Sequence, residues 1–292
     1  MGLLKRPPAD FDALVVGYPG HGDLPAAKRA ARGKPVVFNP LVSLADTLVD
    51  DRARFAPGSL PARALRAIDR AAFRAADLVV ADTQAHAALF REQGAQRVDV
   101  CFVGAEERLF TPGWRQPADF SCLFVGKLIP LHGLETILDA ARRTPELHFR
   151  VVGSGQLEDV LLQRPPNVER HAWVDYELLP HELHRAGCAL GIFGTSQKAQ
   201  RVIPNKVFQA LACGVPVVTA DTPAARELLT DGESALLVPP GDPGALADAV
   251  RRLAGDPELA RRIAGGGLTA YREHASEAIL GARWRTLIEE LL

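Results

Sequence analysis

Short apolar, β-branched runs alternate with longer amphipathic stretches along the whole chain. This alternation is what βα units on a parallel sheet require, because a strand covered on both faces is apolar throughout while its crossover helix shows one apolar stripe. The fold class is therefore α/β. In the first part, strands are expected at 13–16, 35–38, 78–81 and 98–103, with helices at 60–76 and 84–93 and Thr83 as N-cap of the second helix. Residues 109–119, LFTPGWRQPAD, break all periodicity with two prolines and a glycine, as an interdomain linker would. A more regular series follows, with strands at 122–125, 149–152, 168–172, 189–193, 215–219 and 235–238. Helices fall between them at 134–143, 156–162, 179–186, 205–212 and 224–229. Six strands with helices between them make a complete doubly wound domain. Helices at 243–254, 257–264 and 276–292 end the chain, which divides as 1–113, 114–275 and 276–292.

Composition narrows the function classes. The chain has 292 residues, near the size at which one core splits into two, and 34 Lys+Arg stand against 35 Asp+Glu for a net charge of -1. Without a basic surplus or a Lys/Arg-rich run, a nucleic-acid partner is not expected. No apolar run approaches a membrane span and the first ten residues lack a secretory signal, so the expected location is the cytoplasm. Cys101, Cys122, Cys188 and Cys213 form no CxxC pair and lie in or beside apolar runs, the pattern of buried thiols. The sequence has no GxSxG, HExxH or GxxxxGK[ST] motif, and its eight histidines offer no compact ligand set, so no metal is expected. His181 and His184 are three apart in a predicted helix but lack a third ligand.

Ligands in such sheets bind at the carboxyl ends of the strands. Three loops there carry chemistry. FVGKLIPLHG, residues 124–133, places Gly126, Lys127 and His132 between a strand and a helix N-terminus. A glycine turn, a cation and a helix dipole together suit a phosphate or diphosphate; a solvated loop lysine with His132 as a helix cap is the other reading. VVGSGQ, residues 151–156, supplies Gly153 and Gly155, which would let a ligand approach the backbone. Residue 158 is Glu, so the dinucleotide fingerprint GxGxxG is absent. The third loop, 194–204, carries Lys198 and Arg201 into Pro204 and a helix bearing Asn205, Lys206 and Gln209. A lysine in a helix's first turn opposes the dipole unless an anion is bound there; surface polarity at a helix start is the alternative. His21, in YPGHGD after the first strand, either points into a cleft or is an ordinary loop histidine.

These loops, in this order, resemble the donor domain of the retaining GT-B glycosyltransferases of family 4, the glycosyl transferases group 1. The resemblance rests on FVGKLIPLHG, VVGSGQ, PNKVFQALACGVPVVTAD and TPAARELLTDGESALLVPPGD and covers residues 120–292. It implies two Rossmann-like domains and transfer of a sugar from a nucleotide-diphosphate sugar, with retention and without metal or cofactor. Lys127 would hold the diphosphate and His132 would take the place of a second cation. Gly153, Gly155 and Val174 would border the nucleotide, and Asn205 and Lys206 would face phosphate and ribose. Where the family commonly has two glutamates eight apart, this chain has Arg201 and Gln209. Gln209 can still hydrogen-bond a ribose, and Arg201 reverses the charge toward phosphate or an anionic sugar. The catalytic set on this reading is Lys127, Arg201 and Lys206.

FDALVVGYPGH, PVVFNP and AADLVVADTQAH resemble the later part of the family's acceptor domain, with His21 and Asn39 on its sugar or acceptor side. Nothing matches that domain's opening strand and Gly-rich loop, so a shortened N-terminal domain of four strands is expected. The helix at 276–292, with Ile279, Trp284, Leu287, Ile288 and Leu291, is expected to return to that domain and pack on it. The acceptor, a glycan, lipid or small molecule, is not specified. A peripheral contact with the inner membrane face would suit a lipid acceptor, but no basic amphipathic patch supports it. The alternatives are a truncated, non-catalytic nucleotide-sugar-binding paralogue and a GT-B sugar-nucleotide epimerase.

Overall fold

The computed structural model describes residues 10–292. The chain forms two compact units, one running to Phe102 and completed by Leu280–Leu292, the other Val103–Ile279. Residues 109–119 belong to the second unit. Phe110 is buried there, the Trp114 indole N–H donates to the Ala186 carbonyl at 2.7 Å, and the N–H groups of Gly113 and Trp114 both donate to Cys213 O.

The first unit has four parallel strands in the order β1 (Leu14–Gly17), β2 (Val36–Asn39), β3 (Leu78–Ala81) and β4 (Val98–Val100). Alternation along β2 and β3 sends their side chains to two separate cores. Val36, Phe38, Val79 and Ala81 meet α1 (Leu24–Ala31), α2 (Leu60–Ala75) and α3 (Gln84–Glu92) through Leu24, Ala27, Phe73 and Phe90. Val37, Leu78 and Val80 face the other way, onto Leu280, Trp284, Leu287 and Leu291 of the C-terminal helix. That helix therefore packs on the first unit as expected, and Arg283 bonds Asp99 while Arg97 bonds Glu290 at 2.7 Å. Ser59 caps α2 by accepting from the Ala62 N–H, and Thr83 caps α3 by accepting from the His86 N–H.

The second unit is a six-stranded parallel sheet. In chain order its strands are β5 (Ser121–Val125), β6 (His148–Val152), β7 (Val168–His171), β8 (Cys188–Leu190), β9 (Val217–Ala220) and β10 (Leu236–Val238), and across the sheet they run β7-β6-β5-β8-β9-β10. The helices are α4 (Leu134–Arg143), α5 (Leu179–His184), α6 (Asn205–Ala212), α7 (Pro243–Gly255) and α8 (Pro257–His274), and α9 (Glu277–Glu289) leads back to the first unit. Asp242 and Asp256 cap α7 and α8 by accepting two N–H groups each. All four cysteines are free and buried, and Cys122 pairs in register with Cys188 across β5 and β8.

Four elements differ from the sequence expectation. Helix α1 and a π-helical turn at Asp46–Asp51 carry no large apolar stripe and were not predicted; α1 buries Leu24 together with Ala27, Ala30 and Ala31. Helix α8 runs ten residues past 264, straight through Gly265, Gly266 and Gly267. A Cβ on Gly266 would overlap the Glu233 carbonyl and one on Gly267 would stand 2.7 Å from Leu211, so these glycines admit a close neighbour and do not end the helix. Residues 224–229 form only a 3-10 turn at Ala225–Glu227.

At the carboxyl end of the first sheet, Asp69 is buried and accepts from the Ser43 hydroxyl at 2.7 Å and from the N–H groups of Leu44 and Ala45. His21 Nε2 is 3.4 Å from the same carboxylate. Removing a buried, multiply bonded carboxylate leaves its donors unpaired. The expected result of Asp69→Ala is a loss of about 3 kcal/mol in denaturant unfolding. His21 gives a pH signature. Burial, partly offset by Asp69, lowers its pKa below the ordinary value, so below about pH 6.5 the unfolded chain takes a proton that the folded one refuses. Stability should fall as the pH drops from about 6.5, and His21→Gln should flatten that slope in thermal melts at stepped pH.

Candidate functional site

Strand order fixes where a ligand can sit. The connection after β5 turns one way, through α4 to β6, while β8 lies on the other side of β5, so the loops at their carboxyl ends diverge and leave a crevice. A cleft of about 490 Å³ opens on the β6 side of β5, along the carboxyl ends of β5, β6 and β7. Val125, Gly126 and Lys127 contribute from the end of β5, Val152 to Gly155 from the end of β6, and Ala172, Trp173, Val174, Tyr176 and Leu179 from the segment after β7.

The glycines make this arrangement possible. Gly126, Gly153 and Gly155 have φ of +154°, +145° and +154°, which side chains disfavour. A Cβ on Gly153 would overlap the Gly126 carbonyl oxygen, and one on Gly155 would stand 2.8 Å from Leu128 O. The two loops are laced together by Gly126 N–H to Val152 O at 2.9 Å, Leu128 N–H to Ser154 O at 3.0 Å and Leu157 N–H to Leu128 O at 2.9 Å. Gly153 and Gly155 line the cleft, while the room left by their missing side chains is taken by the first loop's backbone. Gly133, in the left-handed region at φ +66°, would place a Cβ 2.6 Å from the Phe193 backbone and lets α4 start against the loop after β8.

Lys127 is exposed on the cleft wall. His132 is buried behind the same turn; its Nδ1–H donates to the Lys127 carbonyl and its ring lies edge-on to Phe124 at 5.4 Å. Lys206 occupies the second position of α6 and Gln209 follows one turn later. Both border a narrow space beside the cleft, which shares Val125 and Leu179 with it. The alternative of a surface polar residue at a helix start does not hold: Lys206 carries a fully buried Nζ with no hydrogen-bond partner, 3.8 Å from the centroid of the Phe124 ring. Burial pushes its pKa well below the ordinary lysine range. Asn205 is exposed at the first position of the helix, and Arg201 is half-buried in a turn closed by its N–H to Lys198 O at 2.9 Å.

The structure thus gathers Gly126, Lys127, Gly153, Gly155 and Val174 on one cleft, with His132, Lys206 and Gln209 immediately behind or beside it. His21 and Asn39 belong to the first unit. His21 is only 3% exposed and packs edge-on against Phe38 at 5.0 Å, and the Asn39 amide donates to Val80 O at 3.3 Å. Sequence reasoning passed over the aromatic rim. Trp173 is 74% exposed with its indole N–H on Asp175 at 3.3 Å, and Tyr176 lies edge-on to Phe110 at 5.6 Å. Two aromatics in a polar stretch directly after a strand were the available signal. Among the described residues no group of three or more His, Cys, Asp or Glu side chains could hold a metal ion.

Comparison with known proteins agrees with this layout. The family described as glycosyl transferases group 1 matches residues 119–256, and the glycosyl transferase 4-like domain matches 3–106. The chain is 30% identical over 217 residues to a D-inositol 3-phosphate glycosyltransferase of Frankia alni, covering 64% of this chain and 52% of the relative. It is 31% identical over 162 residues to a phosphatidyl-myo-inositol mannosyltransferase of Mycobacterium leprae, covering 52% and 42%. It therefore spans about half the length of these curated relatives. Among solved structures, sucrose-phosphate synthase from Thermosynechococcus elongatus superposes with a TM-score of 0.79 at 17% identity, over 96% of this chain and 74% of that one. HepE of Anabaena in complex with UDP superposes with a TM-score of 0.72 at 20% identity, over 94% and 78%. The structural likenesses establish the GT-B fold of two parallel-sheet, Rossmann-like domains. With both halves matched in order by their respective domain families, the chain belongs to the group 1, family 4 type of GT-B glycosyltransferases.

Proposed function

We propose that the protein transfers a sugar from a nucleotide-diphosphate sugar to an acceptor, with retention and without a metal or other cofactor. The observation that carries this reading is the cleft at the carboxyl ends of β5, β6 and β7, where the glycine turn at Gly126 sets backbone and an exposed Lys127 beside the glycine turn that follows β6. Such a place suits a diphosphate. As the bond from sugar to phosphate breaks, charge grows on the departing diphosphate. Lys127, together with Lys206 and Arg201, would offset that charge, the task that a divalent cation performs in other transferases. HepE was solved with UDP and belongs to the same fold, which supports a nucleoside diphosphate as the leaving group.

The wall after β7 fits the other end of the donor. Trp173 and Tyr176 offer exposed aromatic faces beside the backbone of Val174, a platform on which a nucleobase can stack. Gln209 presents both a donor and an acceptor for ribose hydroxyls. The inositol-containing names of two relatives suggest a polyol or a lipid-linked polyol as acceptor class. No helix among the described residues is long and apolar enough to cross a membrane.

Calorimetric titration with UDP, GDP and ADP tests the donor site. One of the three should bind, and failure of all three would overturn the reading. Lys127→Ala should weaken that binding by about 10- to 100-fold, the worth of a charge-assisted hydrogen bond. Trp173→Ala should weaken it about fivefold or more, as expected for a lost stacking face. Incubation with donor alone separates transfer from epimerisation, because an isomerised nucleotide-sugar formed without acceptor would identify an epimerase instead.

A further inference from the structure

Lys206 is a charged residue type whose head group the fold has taken out of water without supplying a counter-ion. Its Nζ is buried and unbonded, rests 3.8 Å from the Phe124 ring centroid, and stands 2.7 Å from where a Cβ on Gly126 would be. Phe124 and Gly126 flank Val125 at the end of β5. The head group therefore lies against the turn that lines the cleft.

The space around the amine is lined mainly by apolar side chains. The turn after β5 contributes His132, whose Cε1 is 3.3 Å from the same Cβ position on Gly126, and Lys127. Strands β5 and β8 contribute Leu123, Val125, Ala189 and Leu190, and α5 contributes Leu179 and Leu183. Its own helix adds the neutral Asn205 and Gln209, and the loop before it carries Lys198 and Arg201. Glu182 of α5 bonds Arg150. No carboxylate among the described residues is paired with Lys206. Desolvation and the N-terminal dipole of α6 both act against a positive charge here, and no hydrogen bond answers them.

We propose that Lys206 is stored as a neutral amine on the face of Phe124 and takes up one proton when a diphosphate occupies the Gly126 turn, so that donor binding is coupled to protonation. This rests on the nucleotide-sugar reading above. The step is balanced: the amine lone pair accepts one proton from solvent, a single N–H bond forms, and the new ammonium stands against the incoming negative charge. Phe124 acts as a positioning residue that holds the amine beside the turn while it is neutral. The arrangement keeps the empty site from bearing an uncompensated buried charge. It also makes full electrostatic complementarity appear only with the anion present.

Linkage gives the signature. Above the pKa of the free amine, affinity for the diphosphate should fall by up to about tenfold per pH unit, whereas a permanently charged lysine gives no such slope. Calorimetry with UDP at pH 8.5, where the ligand's phosphates are fully ionised, in two buffers of different ionisation enthalpy, counts the protons. Up to one proton taken up per UDP is expected, together with its loss in Lys206→Met, which keeps the length of the stem. A titration followed by the 13Cε resonances of the ligand-free protein provides a second measure, with the Lys206 signal identified by its absence from Lys206→Met. Its midpoint should lie well below those of the other lysines. UDP binding with no buffer-dependent heat, or a Lys206 midpoint among the others, overturns the inference and leaves the nucleotide reading standing. Failure of UDP, GDP and ADP to bind overturns the nucleotide reading and the coupling with it, and the lysine titration then decides on its own whether the amine is stored neutral.

Discussion

The near contact of two backbones at the carboxyl ends of β5 and β6 governs the rest of the second unit. Three interlocking N–H to carbonyl bonds hold the loops together, and the contact needs residues 153 and 155 to lack a side chain. Any larger residue at 153 would drive its Cβ into the Gly126 carbonyl. The loops would then separate, the cleft would lose its floor and α4 would start from a different place. Close packing here precedes chemistry: the glycines that a ligand would exploit are first required by the fold itself.

The same tightness explains the electrostatics. A lysine at the second position of α6 has little choice but to bury its head group, because β5, β8 and α5 surround its stem with leucine, valine and alanine. The face of Phe124 lies directly beneath the head group. By contrast Lys127, one residue past the turn, stays in water and keeps the freedom to meet a ligand. The two lysines therefore differ in kind, one standing in solvent and one buried against the turn.

Much of this was written in the sequence, and what was not had identifiable causes. Continuous apolar runs located all ten strands of the described residues, with ends shifted by up to three residues, and Thr83 marked the start of α3, where its hydroxyl accepts the His86 N–H. Helix α1 was invisible because its buried stripe is largely alanine, which carries little periodic signal. Helix α8 runs on through three consecutive glycines, a sequence that ordinarily breaks a helix, and two of them, Gly266 and Gly267, admit Glu233, Ser234 and Leu211. On the cleft, Gly126, Lys127, Gly153 and Gly155 were legible from strand-turn-helix order, Val174 came only with the resemblance, and Trp173 and Tyr176 were passed over. The burial of Lys206 and the interior position of His21 were not legible, since both depend on which distant strands flank a loop, and neighbouring residues in the sequence carry no trace of that.

The first unit shows how far such long-range dependence can go. Val37, Leu78 and Val80 emerge on the face of the sheet opposite α1, α2 and α3, and what covers them is Leu280, Trp284, Leu287 and Leu291 from the far end of the chain. A parallel sheet needs both faces covered. The first unit is therefore incomplete until the second has been traversed, and the chain returns to it by way of Glu277. On that return, within the second unit, the Glu107 N–H donates to the Glu277 carboxylate and the Glu277 N–H donates to the Glu107 carboxylate, while the Tyr271 hydroxyl donates to Glu107 at 3.1 Å. The outgoing and returning segments are thus fastened to each other at the place where the chain leaves one unit for the other. Loop-closure entropy disfavours a contact between residues separated by nearly two hundred positions. Tying the two crossings together through Glu107 and Glu277 shortens the effective loop that α9 must close, and this makes the burial of Trp284 and Leu287 on a sheet built at the start of the chain thermodynamically reachable.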